Sequence, residues 1–588
     1  MDKLSLFDRI VQQSQLTPNN TAVLYPSGSI TYKDLLDKAS IFANYFLRNE
    51  VQPNEIVCIL MERSVDMIAC TLGVLQAGGA YMHLNPAMPH NQLSELLEVL
   101  NTIIVIDEKY ETLINHSKRI LKKDIAETYK ANAVAEIKKR NQEHLAYLVY
   151  TTGTSGNQKV IMVEDKNIIQ YVDTFCNLFN VSQNDRSLQQ SPCYYDGFAE
   201  EVFSMLFKGG AIVLAHDEEL SNPRILKRKL EEFNVTIMAT TPLMLSAINA
   251  ACNQIDSVRC FISSGDVLKA KQFYNLIKHT KIYNMYGPSE TTVCATYYEC
   301  SGDEIDNISI GRPIAGYIII ICDENGQEVK DGERGEIYIG GQCVARGYLK
   351  NDSATSEAFV QIHGQRMYRT GDLGIKHADG NIEFCGRRDQ QIKIHGRRVS
   401  IGDIEKTLFR CPLVQEIAII TKEMDDDKSL LAFCISSAGD ISLDLQKYAK
   451  EHLADYMIPQ KFVCIDKFPL TKTGKLDKAA LLSLENPITS ELHNDSNQYS
   501  EDFQRFFEKM FAYLNKKLGL ADIHPDVNLI DIGINSLNFV ALAVFIESEY
   551  EFEFDDEMLN YERFETFADL YQYIVRKSCP TEDQTALT

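Results

Sequence analysis

Two carboxylates, Asp196 and Glu200, stand four residues apart in YYDGFAEEVF (194–203), among aromatic and apolar neighbours. On a helix that spacing places both on one face, one turn apart, where like charges repel by a few tenths of a kcal/mol. A cation seated there would turn the repulsion into attraction. Residues 150–160 read YTTGTSGNQKV, a loop whose small residues let main-chain N–H groups and hydroxyls surround phosphate oxygens while Lys159 adds positive charge. The GxxxxGK(S/T) spacing of P-loop nucleotide sites is absent, and taken alone a solvated Gly/Ser loop is an equal reading. Farther on, Ser536 in DIGINSLNFVALAVF heads an apolar stripe of Leu537, Val540, Ala541, Val544 and Phe545, spaced as one helical face. The plain reading of a serine at such a helix start is an N-cap.

These groups need a scaffold larger than one domain. A chain of 588 residues exceeds the roughly 250–300 at which single cores stop growing. Its 45% hydrophobic content suits globular domains, and a net charge of −23 argues against nucleic-acid binding. From residue 501 onward there are 18 acidic and 7 basic side chains, a net of −11, which marks a separate acidic module. The 15 cysteines are scattered without CxxC pairs or metal spacing, and neither a signal peptide nor a membrane-length apolar run is evident. Reduced thiols, a cytoplasmic location and no membrane partner are the resulting expectations.

Through the first four hundred residues, β-branched runs (EIVCIL, TIIVID, AIVLA, TIMAT, KIYNMYG) alternate with longer stretches such as SVDMIACTLGVLQAG, read as amphipathic helix. That alternation predicts α/β with largely parallel sheets. GEIYIGG and ADGNIEF then introduce strands between Gly- and Asp-containing turns, opening a smaller α+β region. Residues 485–502 are polar and aperiodic, as a flexible linker is, and a helical module follows. The expected division is 1–388, 389–484, linker 485–502 and helical module 503–580.

Further segments follow the phosphate-type loop in a fixed order: NMYGPSETT (284–292), GEIYIGGQCVARGYL (335–349), YRTGDL (368–373), GRRDQQIKIHGRR (386–398) and PLTKTGKLD (469–477). With ITYKDL, LQAGGAYMHLNP and YMIP, they resemble the motifs of adenylate-forming enzymes, specifically nonribosomal peptide synthetase adenylation domains. The DxGxNSL pattern around Ser536, after the linker, resembles a peptidyl carrier (thiolation) domain. The resemblance implies a large N-terminal subdomain, a small mobile C-terminal one hinged at Asp389, and a carrier bundle.

Carried over position by position, the resemblance gives Thr151, Thr152, Gly153, Thr154, Ser155 and Lys159 to the ATP phosphates, and Tyr286 to the adenine. Asp372 and Arg387 fall to the ribose, Glu290 to Mg²⁺, and Lys475 to catalysis of adenylation. A lysine and a hard cation suit the negative charge that builds as a carboxylate attacks the α-phosphate. Ser536 would bear 4′-phosphopantetheine, which makes a phosphopantetheinyl transferase an expected partner. The phosphate loop here has Gln158 and Val160 where proline and glycine are usual, and His395, Ser400 and Ala454 also depart from the pattern.

Asp196 aligns with the position that pairs with a substrate α-ammonium, and the pocket would be completed by Gly197, Glu200, Ala239, Ile262, Ser264, Met285, Val293 and Cys294. A buried, unpaired carboxylate costs several kcal/mol, so Glu200 is expected to meet a partner. A basic amino acid, lysine or ornithine-like, is the expected substrate. The overall expectation is amino acid activation with MgATP to aminoacyl-AMP, then thioester loading on the chain's own carrier, with condensation or tailoring enzymes downstream. Two rivals are a ligase charging a carrier for tailoring or cell-wall use and a degenerate domain acting as a scaffold.

Overall fold

A computed structural model describes residues 4–114, 116–128, 140–151, 159–216, 219–220, 223–252, 254–303, 308–388, 391–394, 397–423, 428–465, 467–469, 476, 478–484, 500–518, 525, 527, 529, 534, 536–550, 554–555, 558, 563–564 and 566–578. It divides into two compact units: Met1–His216 with Lys227–Arg410 and Lys447–Ile458, and Asp217–Leu226 with Cys411–Gln446 and Pro459–Thr588.

The first unit is built on two large sheets. One has nine strands, whose inner members from Lys281–Tyr286 through Cys260–Ser263, Ile237–Thr240, Arg186–Leu188 and Ala211–Val213 to Thr21–Tyr25 all run parallel. The other has seven, with Ala80–His83, Ile56–Leu60 and Ile103–Ile106 parallel at its centre and the Leu145–Thr151/Lys159–Glu164 pair antiparallel toward one edge. All five apolar runs read from the sequence are strands of these sheets. Helices such as Val65–Gln76 lie between consecutive parallel strands in the chain, as the crossovers of parallel strands require.

The helix Val65–Gln76 departs from its amphipathic reading: every residue from Met67 to Gln76 is buried. It is apolar all round because it lies inside, and Gly73 lets it close on the Tyr32–Arg48 helix, where a Cβ would come 2.6 Å from the Cβ of Phe42. A smaller antiparallel sheet pairs Arg334–Gly341 with Gln365–Lys376, and the latter with Ile382–Arg387. A hairpin of Gln391–Ile394 and Arg397–Ser400 follows.

The second unit contains a three-stranded sheet ordered Glu416–Glu423, Lys428–Ile435, Lys461–Cys464. It also contains the helices Glu501–Leu518, Ser536–Tyr550 and Phe567–Ser578 around a core of Phe503, Phe506, Phe539, Leu542, Ile546, Phe567 and Leu570. The helix begins at Ser536 as read; among its described side chains Phe539, Leu542, Ala543 and Ile546 are buried, and Phe545, a member of the expected stripe, packs partly buried against the same core. The segment is apolar nearly all round, so spacing alone selects no face. The side chains of Leu537, Val540, Ala541 and Val544 lie outside the described residues.

Candidate functional site

Asp196 and Glu200 do stand one turn apart: Asp196 is the N-cap residue of the helix Gly197–Leu206, and the Glu200 N–H reaches the Asp196 carbonyl at 3.4 Å. Both line a cavity of about 260 Å³ at the ends of the parallel strands, within the first unit. Gly197, Ala239, Ser264, Val293 and Cys294 line it too. Ile262 and Met285 do not reach it; they are buried in the adjoining core.

Glu200 is 4% exposed and finds the partner expected of a buried carboxylate: the hydroxyl of Tyr171, from the helix Asp165–Leu178, donates to its Oε2. The donor is a neutral phenol. Burial therefore prevails, pushing the Glu200 carboxyl up to about 8 against the Tyr171 hydrogen bond, with the charges of Glu201 and Asp196 adding to the rise. Glu201 is turned the other way. Its carboxylate accepts from the Ser191 N–H at 3.0 Å, the Ser191 hydroxyl at 2.8 Å and the Gln189 side-chain amide at 3.0 Å. Arg63 grips the same loop, donating to the Gln189 carbonyl at 2.5 Å and the Gln190 carbonyl at 3.2 Å. Gly197 fits against this loop with no room for a side chain, since a Cβ would lie 2.5 Å from Ser191 Oγ.

The Thr292–Cys294 segment of the site contains backbone strain. Thr292 and Val293 both have positive φ, 61° and 66°, which β-branched residues adopt rarely. Such strain costs on the order of 1–3 kcal/mol per residue and persists only where the surroundings impose it. Here the Tyr317 hydroxyl donates to the Thr291 and Thr292 carbonyls, each at 3.0 Å, and the Thr292 hydroxyl donates to the Cys343 carbonyl at 2.7 Å. The turn places Val293 and Cys294 on the cavity wall. No local signal in SETTVC announces it, because positive φ is ordinarily the province of Gly and Asn.

Tyr286, Asp372 and Arg387, far apart in sequence, form a second polar corner. Asp372 is 2% exposed; its Oδ2 accepts from the Tyr286 hydroxyl at 2.6 Å, and its Oδ1 pairs with the Arg387 guanidinium. The pairing follows from strand register, which sets Asp372 opposite Arg387. Glu290, 2% exposed, accepts from the Tyr348 hydroxyl at 3.0 Å, and Lys159 lies 4.7 Å from the Tyr348 ring centroid. A single buried carboxylate beside a lysine suits a Mg²⁺ that takes its other ligands from phosphates and water. No cluster of three or more His, Cys, Asp or Glu side chains able to hold a metal occurs among the described residues.

Lys393 and Arg397, from the hairpin, and Tyr456 also line the cavity, and sequence reasoning had not assigned them there. The Arg397 guanidinium lies 4.7 Å from the Tyr456 ring centroid and 5.8 Å from that of Tyr195. Thr152, Gly153, Thr154, Ser155, the expected hinge residue Asp389 and Lys475 lie outside the described residues. The same holds for the side chains of Thr151 and Ser536, although Thr151 ends a strand and Ser536 opens a helix. No helix among the described residues is long and apolar enough to cross a membrane.

Comparison with known proteins agrees with this geometry. A family signature described as "AMP-binding enzyme" matches residues 10–349, "AMP-binding enzyme C-terminal domain" matches 403–475, and "Phosphopantetheine attachment site" matches 508–574. Bacitracin synthase 2 of Bacillus licheniformis is 34% identical over 96% of this chain, which spans 22% of that protein's length. Zwittermicin A synthase ZmaJ of Bacillus cereus is 32% identical, with 80% of this chain matching 94% of that one. The solved structure of holo-PA1221, described as an NRPS protein containing adenylation and PCP domains, superposes with a TM-score of 0.79 at 24% identity, covering 93% of this chain and 92% of that one. The chain belongs to the AMP-binding enzyme family, its AMP-binding region followed by the family's C-terminal domain and a phosphopantetheine attachment region.

Proposed function

We propose that the chain activates a basic amino acid, lysine or an ornithine-like diamino acid, with MgATP and loads it on its own carrier domain. The observation that carries the reading is the pair of carboxylates, Asp196 and Glu200, on one wall of one cavity. In this reading Asp196 takes the α-ammonium. Glu200, held at Oε2 by Tyr171, offers Oε1 to the side-chain ammonium. Lys393 and Arg397 put positive charge on the same cavity, where the substrate carboxylate would lie.

At the nucleotide corner, Tyr286 supplies the adenine contact, and Asp372 and Arg387 hold the ribose. Asp372 can accept from ribose hydroxyls while keeping its present donors, because each carboxylate oxygen has two lone pairs. Glu290 would bind Mg²⁺, and Lys159 with residues 151–155 would face the phosphates. Attack of the substrate carboxylate on the α-phosphate forms aminoacyl-AMP and releases pyrophosphate, with Lys475 offsetting the developing charge. A phosphopantetheine arm on Ser536 would supply the thiol that accepts the aminoacyl group. Tethering keeps that thiol at an effective concentration of order millimolar. A phosphopantetheinyl transferase, downstream condensation or tailoring enzymes and a cytoplasmic location complete the proposal, with 1–388 and 389–484 as adenylation subdomains joined at Asp389 and 503–580 as carrier.

Amino-acid-dependent ATP–pyrophosphate exchange across the amino acids tests it. Exchange led by lysine or ornithine is the expected result, and equal or better exchange with neutral amino acids overturns the substrate assignment.

A further inference from the structure

We propose that Cys434 and Cys464 form a reversible dithiol–disulfide site in the three-stranded sheet, with a low-molecular-weight disulfide as its oxidant. The two residues sit on adjacent parallel strands in direct register, and their Sγ atoms are 3.3 Å apart. Register neighbours in a sheet are separated by about 4.8 Å between strands and project to the same face, within the Cα spacing a disulfide accepts. Closing the sulfurs to about 2.05 Å needs only small side-chain rotations. Both cysteines belong to the same compact unit.

Their surroundings divide the chemistry between them. Cys464 is half-buried, and its Sγ accepts from the Ile441 N–H at 3.3 Å, just ahead of the Ser442–His452 helix. Cys434 has no exposed surface, and burial pushes its thiol up. Cys464 is therefore the attacking group, reaching the incoming disulfide as a thiolate after giving its proton to solvent. Its sulfur bonds to one sulfur of the reagent and expels the other as a thiolate. The Cys434 sulfur then attacks Cys464 Sγ, and the second reagent thiolate leaves with the Cys434 proton. Two protein thiols are oxidised and one disulfide is reduced to two thiols. The closed bond joins positions 30 apart in sequence, bracketing the Ser442–His452 helix and the Asp455–Met457 turn. Cross-linking a loop of that length restricts the unfolded chain more than the folded one.

The full chain, incubated with oxidised glutathione, acid-quenched, alkylated with a maleimide and mapped by mass spectrometry, tests the site. Maleimide labelling of Cys434 and Cys464 is expected to fall together by about five-fold or more and to return with dithiothreitol, and a peptide pair joined through the two should appear. The Tm of the oxidised chain is expected to rise by a few degrees, a shift absent from Cys464→Ser under the same treatment. Glutathione retained on Cys464 while Cys434 still labels, or undiminished labelling of both, overturns the proposal. Should Cys434→Ala fail to fold, Cys464→Ser and the wild-type map suffice, since neither depends on it.

Discussion

The Asp372 corner and the Glu200 cavity each bury a carboxylate, and they satisfy it in opposite ways. Asp372 has a guanidinium at one oxygen and a phenol at the other, fixed by strand register. Among the described residues Glu200 has a phenol alone, and burial raises it to about 8. A carboxylate paired with a permanent cation is suited to neutral hydroxyl ligands such as a ribose. One left with a neutral donor in a dry wall gains most from a ligand that brings its own positive charge. On the proposed function, the contrast suits one corner to the general part of the reaction and the other to the selective part.

Breaking the corner should have the largest effect. Asp372→Ala removes the carboxylate partner of the half-buried Arg387 guanidinium and, on the proposed function, the ribose acceptor. A cost of about 3–5 kcal/mol is expected, read as a fall of at least about 100-fold in kcat/KM for ATP–pyrophosphate exchange and a lowered Tm. Next comes Glu200→Gln, which keeps shape but not charge. The KM for a cationic amino acid should rise about 10- to 100-fold while that for a neutral one changes little, measured by the same exchange.

The pH dependence sharpens the contrast. With Glu200 at about 8 in the empty cavity, affinity for a cationic substrate should climb as pH rises toward 8, by up to about ten-fold per unit. Glu200→Gln should flatten that profile. Stability runs the other way, because a carboxyl raised from 4.5 to about 8 on folding holds a proton that the unfolded chain releases. Between those pH values the wild type therefore loses stability as pH rises, and Glu200→Gln should lose less in denaturant titrations at pH 5 and pH 8. Tyr171→Phe is the mildest change. Losing one hydrogen bond at a buried acceptor costs about 1–3 kcal/mol, and removing a bond that lowers the Glu200 carboxyl should move the substrate pH profile to higher pH.

How much of this was legible in the sequence depended on whether the information was local. Five β-branched runs became sheet strands because the pattern resides in the run itself. Asp196 and Glu200 were legible as a pair because one helix turn connects them. The amphipathic reading of Val65–Gln76 failed because that helix is apolar nearly all round, so spacing selects no face, and the neighbours decide what is buried. Tyr171 lies 29 residues before the carboxylate it serves, on another helix, and nothing nearby marks it. Lys393, Arg397 and Tyr456 reach the cavity from far along the chain. The positive φ at Thr292 and Val293 runs against residue preference and exists because Tyr317 holds it.

The most direct test of the account is the intact mass of the pantetheinylated full chain after incubation with MgATP and an equimolar mixture of amino acids, beside Asp196→Ala and Ser536→Ala. The account predicts a single thioester-labile adduct with the mass of lysine or a close diamino acid on the wild type, and none on either variant. An adduct that persists on Asp196→Ala, or a wild-type adduct with the mass of a neutral amino acid or of an acid lacking an α-amino group, would contradict it.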